Sequence, residues 1–531
     1  MLRGFLEMIE RVPYRRFFRV VAALSLGVHL VVAFRSQGFY QCDEHFQILE
    51  FLGVKLGMAQ AADLPWEYAA RMRSWLLPAL LWPVAKLALA AGAGDPFTLA
   101  RIFRTFSALL AFAGLLAFAR CLPLWLPDGR VRRGTLLVMQ FFYWVPVLDA
   151  RTSSENFAQA FFLLGLAALL GGFRRDFTAP APGSRDWLST GLMAGGCFGL
   201  AFVARFQSAF LVAGATAWLW LLGRERWSRL ASLGAGFLAA VAAGALVDRW
   251  GYGQWAFPAW SYLRINVLEH AANQWGTLPP WGYVGLFAGD LVPPLGLVWV
   301  CVPFVAAFRL PRHLLTWTLA PFVVVHVALA HKETRFLFPT LELCIVLLGV
   351  LLEHELGPAG KSSWFRRAWP KIRVPAAVVL GLANAVGLGL FTFGPPRPQW
   401  ALLDALDAAA PRGFTLYAAH GFAPMSRCGD LRVGFYQGTR RFRAYTPGAP
   451  LAERDERGLA VFYGWADTPA RLPQSPFAAR CEALLTSPWT ASPAGQRLFR
   501  LPGLERFARR IVGHTAYRCP APAGGATDSA P

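Results

Sequence analysis

The chain has 531 residues, of which 55% are hydrophobic and only 16% charged; this excludes a soluble multidomain protein and fits a membrane-embedded body with a modest soluble part. The formal net charge of +21 invites a nucleic-acid reading. The arginines stand at the ends of apolar runs, however, and no basic face with interleaved aromatics follows a soluble stretch, so membrane topology is the stronger explanation and no nucleic-acid partner is expected.

The N-terminus starts basic (Arg11, Arg15, Arg16, Arg19) and turns apolar from Val20 to Phe34 with no small-residue cleavage site after it, the pattern of a retained signal-anchor. Spanning helices of about 20 apolar residues each are predicted at 17–35, 98–120, 134–150, 155–173, 187–204, 207–223, 229–248, 283–308, 314–330, 335–352 and 374–394. With the N-terminus inside, the connections carrying Arg130, Arg132 and Arg133, then Arg174 and Arg175, then Arg224, Arg226 and Arg229, then Arg309 and Arg312, all fall inside. So does the linker with Lys361, Arg366, Arg367, Lys371 and Arg373. That assignment requires the apolar run 76–92, with Pro78 and Pro83, to lie at the outer interface without crossing.

Four segments then face outward: the long loop 36–97, the stretch Arg151 to Asn156, the Trp- and Tyr-rich loop 249–282, and His331 to Arg335. The predicted division is a transmembrane catalytic domain, 1–395, and an extracytoplasmic domain, 396–531, rich in Pro and Gly and read as short strands and loops. None of the eight cysteines forms a Cys-x-x-Cys pair, which argues against a zinc ribbon or thioredoxin-like site. Cys121, Cys197, Cys301 and Cys344 read as packing residues; Cys428, Cys481 and Cys519 share the tail, where one disulfide would leave an odd thiol. Gly360-Lys361-Ser362 imitates the end of a P-loop, but Glu355 stands where the earlier glycine is required. No His-Glu-x-x-His, Gly-x-Ser-x-Gly or Asp-x-Asp element occurs.

Chemistry-bearing residues gather on the outer side. Asp43 and Glu44 follow the first span closely, either as solvated acids or as a base able to take the proton of a sugar hydroxyl. In the same loop Trp66, Glu67 and Tyr68 combine an interface anchor with a sugar-stacking surface. Arg71 and Arg73 stand where positive charge is normally sparse, which either a lipid phosphate or an acidic lipid accounts for. His331, Lys332, Glu333 and Arg335 abut spans on both sides without a spacer, a costly placement unless the charges are paired or used. Lys332 and Arg335 suit a phosphate clamp, Arg335 by bidentate bonding, with Glu333 as counter-ion. Arg151 and Glu155 read as an ion pair; Arg205, followed by Gln207, either snorkels or contacts the carrier.

At these residues the sequence resembles glycosyltransferase family 22, the mannosyltransferases of GPI anchors and lipid-linked oligosaccharides. Cys42-Asp43-Glu44-His45-Phe46-Gln47 matches the family's Pro-Asp-Glu-x-x-Gln segment with Cys42 in place of Pro. Pro65 to Tyr68, Met72 to Ser74, and Arg151 to Asn156 resemble its Thr-Trp-Glu-Tyr, Ile-Arg-Ser and Arg-Thr-x-Ser-Asn elements. His331 to Phe336 matches His-Lys-Glu-x-Arg-Phe in full, with Pro339 following; Tyr252 to Trp255 and Asn266-Val267 also fit. The likeness runs from about 36 to 345, and in the tail a Cys-His pair of the family is replaced by Ala419-His420.

The resemblance implies a mainly α, polytopic GT-C fold with about 11 transmembrane helices and a small mixed or β-rich C-terminal domain. It implies inverting transfer from polyprenyl-phosphate-mannose, without metal or other cofactor, to a glycolipid or lipid-linked glycan. Asp43 would be the base with Glu44 beside it, and His331, Lys332, Arg335 and Arg73 would hold the donor phosphate. Gln47, Trp66, Glu67, Arg151, Arg205 and Glu333 would bind substrate or support the site. Abundant Ala and Arg with short loops suggest a bacterial source and hence the cytoplasmic membrane; a eukaryotic chain would lie in the endoplasmic reticulum membrane. A transfer of another polyprenyl-phosphate-linked sugar is the alternative within this fold. A transporter is the alternative outside it, although the charges gather at one face and no inverted repeat is evident.

Overall fold

The computed structural model describes residues 11–171, 186–291, 295–357 and 363–393, a turn at 434–437 and five strands in the tail. The chain forms two compact units: Met1–Ser36, Trp66–Ala93 and Ala100–Phe393 make the first, and Gln37–Pro65, Gly94–Leu99 and Gly394–Pro531 the second.

The first unit is helical. Apart from short turns its helices are α1 (Tyr14–Arg35), α2 (Leu76–Ala90), α3 (Pro96–Ala119, whose first turn belongs to the second unit), α4 (Gly129–Phe141), α5 (Trp144–Asp149), α6 (Ser154–Leu170), α7 (Asp186–Ala204), α8 (Ala209–Leu221) and α9 (Trp227–Tyr252). There follow α10 (Gly282–Asp290), α11 (Leu295–Arg309), α12 (Leu314–Ala328), α13 (Leu341–Leu356) and α14 (Ser363–Phe393). Among the described residues, Tyr14–Arg35, Pro96–Leu124, Trp227–Tyr252, Thr334–Leu356 and Arg367–Phe393 are long and apolar enough to cross a bilayer. Shorter apolar stretches lie in α2, α6, α7, α8, α11 and α12. This is a multi-pass integral membrane protein of mainly helical architecture.

Two predicted spans are broken. The run 134–150 is not one helix but α4 and α5, and the run 283–308 is divided between α10 and α11. Hydropathy could not see the first break, because it is stabilised from elsewhere: Asn384 of α14 accepts the Tyr143 N–H at 2.6 Å and donates to the Phe141 carbonyl at 2.8 Å. One side-chain amide thereby satisfies both backbone groups that the interruption frees, as an apolar setting demands.

α6 is buried on nearly all sides, so its all-round apolar sequence is that of a central helix. α7 and α9 meet backbone to backbone. A Cβ at Gly195 would lie 1.9 Å from the Leu233 carbonyl oxygen, and one at Gly236 2.2 Å from that of Leu192. Small residues at such crossings let van der Waals packing replace the hydrophobic drive that lipid removes. Gly195→Leu is expected to force the pair apart at a cost of at least about 1–3 kcal/mol; a loss of thermal stability of the detergent-solubilised protein would register it.

Groups from distant segments meet at two ends of this unit. At one end Arg133 Nη2 donates to the Val12 carbonyl at 2.6 Å, the Arg132 guanidinium lies 4.5 Å from the Tyr14 ring centroid, and the Asp128 N–H donates to Glu353. Arg309 pairs with Glu355 at 3.5 Å. These basic connections are the ones that the charge rule assigns to the inside. The other end gathers Ser36, Arg151, Glu155, Arg205 and the 331–335 segment. Between them a buried His29–Asp149 pair (2.9 Å) joins α1 to α5, and Gln159 donates to Glu342 across α6 and α13.

In the second unit the loop after α1 forms a one-turn helix, Cys42–Glu44, a π-helical turn, His45–Leu49, and a short helix, Glu50–Leu56. The His45 ring stacks between Phe39 and Tyr436 and bonds Glu50 at 2.5 Å; Glu50 also accepts the Phe435 N–H. The turn Gly434–Gln437 thus packs directly on the loop, and a Cβ on Gly434 would come within 3.0 Å of both Ala59 Cβ and a Glu50 oxygen. Strands β1 (Thr415–Ala419), β2 (Arg441–Tyr445), β3 (Leu459–Trp465), β4 (Glu482–Thr486) and β5 (His514–Pro520) form one sheet in the order β2-β1-β3-β5-β4. β1 runs parallel to β2 and β3, and β5 antiparallel to β3 and β4. Cys42 is disulfide-bonded, an outcome that no Cys spacing in the sequence announces. Cys428 and Cys481 lie outside the described residues, as does the Cys519 side chain. Cys121 and Cys344 are buried as packing residues, whereas Cys301 is exposed on α11.

Candidate active site

The acidic half of the predicted site lies in the second unit. Asp43 and Glu44 occupy the first turn of the Cys42–Glu44 helix. Glu44 is buried, and its Oε1 accepts the backbone N–H groups of Tyr40 (2.9 Å) and Gln41 (3.1 Å) while Gln41 returns the bond, a reciprocal cap. Glu44 therefore fastens the loop with one carboxylate oxygen. Asp43 is half-buried, and Gln47 is buried on the π-helical turn that follows.

The basic half lies in the first unit and is one continuous chain of charge. Glu155 lies in the first turn of α6, whose N-terminus is capped by Ser153 Oγ accepting the Asn156 N–H at 3.2 Å. Asn156 in turn donates to the carbonyls of Asp149 (2.7 Å) and Arg151 (2.8 Å), which fixes the turn before the helix. Arg205 Nη1 binds Glu155 Oε1 at 2.8 Å and Ser154 Oγ at 3.2 Å, and Arg335 Nη1 approaches the same Glu155 oxygen at 3.8 Å. Arg335 closes a bidentate pair on Glu333 (2.8 and 2.9 Å), and Glu333 also bonds His331 Nε2 at 3.1 Å. Both guanidinium groups lie on the Phe336 ring, at 5.5 and 5.4 Å from its centroid. Arg205, Arg335, Glu155 and Lys332 are all buried.

The predicted pairing of Arg151 with Glu155 is corrected. Glu155 is taken by Arg205 and Arg335, while Arg151 donates to Ser36 Oγ at 2.7 Å. Which helix ends converge decided this, and spacing along one strand of sequence does not report it. Lys332 Nζ donates to the carbonyls of Leu278 and Leu329 and lies 6.0 Å from the Tyr283 ring centroid. Thr334 bonds Asp290. Beside the chain, Arg73 pairs with Glu67 at 3.7 Å and covers the Tyr262 ring at 5.3 Å; Tyr262 receives a bond from Gln207, two residues past Arg205. Trp66 is exposed, outside these contacts.

Arg205 and Arg335 thus face two carboxylates, Glu155 and Glu333, and the Lys332 ammonium and the His331 ring beside them add to the positive side. Beside this chain of charge, the Nε and Nη2 edge of Arg205 and the hydroxyl of Tyr283 are among the buried polar groups of the described residues with no hydrogen-bond partner. A buried guanidinium edge left open is costly unless a ligand completes it. Tyr283 escaped the sequence reading because no motif holds it; Pro279-Pro280-Trp281 before it is its only local signal.

The hydrogen bond that His331 donates to Glu333, more than the opposing effect of burial, holds the His331 imidazole above its ordinary value of 6.5. Burial works to raise the Glu333 carboxyl, but the Arg335 charge and the bonds from His331 and Arg335 prevail and hold it well below the carboxylate range. Burial lowers Lys332. The Glu333 contribution to stability is present above the ordinary carboxylate range and lost only in strong acid; the His331 contribution is complete below about 6.5 and lost as pH rises through the raised value. The melting-temperature gap between wild type and Glu333→Gln should accordingly be larger near about pH 6 than near about pH 8. An equal gap at both would show that His331 carries no charge in the pair.

The sequence profile of the Alg9-like mannosyltransferase family matches residues 20–392. A GPI alpha-1,2-mannosyltransferase 3 of Bos taurus is 25% identical over 379 residues, which is 69% of this chain and 62% of that protein. Mannosyltransferase APTG1 of Arabidopsis thaliana is 24% identical over 359 residues, 65% of this chain and 61% of its own. The chain spans about three fifths of the length of these two relatives. ArnT from Cupriavidus metallidurans bound to undecaprenyl phosphate superimposes with a TM-score of 0.49 and 12% identity, over 94% of this chain and 97% of that one. A profile that covers well over half of the chain, together with the motif residues above, settles the family: the chain belongs to the Alg9-like mannosyltransferases.

Proposed function

We propose that the protein transfers mannose from a polyprenyl-phosphate-mannose donor to a hydroxyl of a glycolipid or lipid-linked glycan, with inversion at the anomeric carbon. The observation that carries this reading is the chain Arg205–Glu155–Arg335–Glu333–His331, buried at Arg205, Glu155 and Arg335, with Lys332 beside it and the open guanidinium edge of Arg205. A lipid monophosphate is the ligand whose charge and bidentate oxygens fit such an edge. The relatives named above act as GPI or other mannosyltransferases, which favours mannose over another sugar.

In the proposed displacement the acceptor oxygen attacks C1 of the mannosyl group. The bond from C1 to the phosphate oxygen breaks with its electron pair going to the lipid phosphate, and Asp43 takes the hydroxyl proton. Arg205, Lys332 and Arg335 stabilise the charge that develops on the leaving phosphate. Because side chains supply that charge, turnover is expected to survive EDTA; abolition of turnover by EDTA and its restoration by a divalent cation would overturn a metal-free mechanism. The decisive test is incubation of the purified protein with polyprenyl-phosphate-mannose and a panel of GPI-type and lipid-linked glycan acceptors. Mass spectrometry should find one added hexose and free polyprenyl phosphate. Transfer only from a donor bearing another sugar would replace mannose, and absence of any transfer across the panel would overturn the reading.

A further inference from the structure

The loop that joins α9 to α10, residues 253–281, is unusual in what it shows to its surroundings. Trp255, Phe257, Trp260, Leu268, Trp275 and Trp281 are all exposed, Trp275 at 67% and Trp281 at 72%. A soluble loop that buries its apolar residues would do the reverse, and so many large exposed apolar side chains in one loop mark a binding face. The opposite side of the loop is packed: Ala256, Pro258 and Ile265 are buried, and Tyr262 meets Arg73 and Gln207. The loop is therefore a folded two-sided layer. Within the loop Arg264 pairs with Glu269 at 3.3 Å, and Arg249 at the end of α9 lies over the Trp255 ring at 4.6 Å.

The loop follows directly on α9, a helix long and apolar enough to span, whose Leu238, Leu246 and Trp250 are likewise exposed. The far end of the loop is tied to the basic motif. Leu278 N–H donates to the Ala330 carbonyl at 2.9 Å, His331 bonds the Gly276 carbonyl at 2.8 Å, and Lys332 donates to the Leu278 carbonyl. Gly276 turns the chain there with φ +101°, a conformation that side chains rarely adopt.

We propose that residues 253–281 are a lipid-docking surface, lying in the headgroup and acyl-carbonyl layer of the leaflet in which α9 ends. Trp255, Phe257, Trp260, Trp275 and Trp281 insert into that layer, where amphipathic rings are most stable, and the three backbone ties hold the basic motif at the same depth. The surface recognises the lipid interface itself and stands whatever sugar is transferred, so its test does not depend on turnover.

The full chain carrying Trp275→Cys, and separately Trp281→Cys, is labelled with an environment-sensitive maleimide dye in phosphatidylcholine nanodiscs, with the unsubstituted protein labelled in parallel as background. Phosphatidylcholine brominated near the top of the acyl chain should quench either label by about twofold or more, with aqueous iodide having little effect. Quenching by iodide and not by the brominated lipid overturns the proposal and makes the loop a water-facing, acceptor-side surface. Protection from both quenchers overturns it too, by placing a protein partner on this face. Two labelled positions keep the result independent of one variant's failure to fold.

Discussion

Purified Asp43→Asn is expected to turn over at least about 100-fold more slowly than wild type, within the 10²–10⁴-fold that a general base contributes. Of the two adjacent carboxylates, Glu44 is buried and has an oxygen committed to the backbone N–H groups of Tyr40 and Gln41. Asp43 is the more exposed of the pair, on the same turn. The two substitutions should therefore fail differently. Glu44→Gln weakens the cap and lowers stability, while Asp43→Asn removes the proton acceptor and leaves that cap in place. Single-turnover rates beside melting curves separate the outcomes. Near-normal turnover by Asp43→Asn would remove it from the chemistry.

The second large effect is expected at Arg205→Lys. This change keeps the positive charge, so the Glu155 carboxylate retains a counter-ion in addition to Arg335. What it removes is the planar fork, and with it the Nε and Nη2 edge that has no partner in the protein. Charge-assisted hydrogen bonds contribute about 1.5–3 kcal/mol each, so kcat/KM for the lipid-phosphate donor should fall about 10–100-fold. The KM for the acceptor should hardly move. Arg205→Met should behave otherwise: removing one partner of a buried pair costs about 3–5 kcal/mol, and the protein itself should become unstable. If Arg205→Lys transfers mannose with wild-type donor kinetics, the phosphate is held elsewhere and Arg205 is a structural partner of Glu155.

Sequence and structure divide the description of this protein along a physical line. The sequence by itself determined the membrane-embedded class, most helix positions, the basic connections and the family, because each rests on local quantities: the hydropathy of about 20 residues, the charge at a helix end, or a run such as His331 to Phe336. The tertiary structure decided everything that depends on which helices meet. It broke the 134–150 run through Asn384, some 240 positions away. It gave Glu155 to Arg205 and Arg335 in place of Arg151, and it joined the Gly434–Gln437 turn to the loop carrying Asp43. A buried charge takes the nearest partner in space, since leaving it unpaired in a dry interior is so costly. Distance along the chain says nothing about which partner that is.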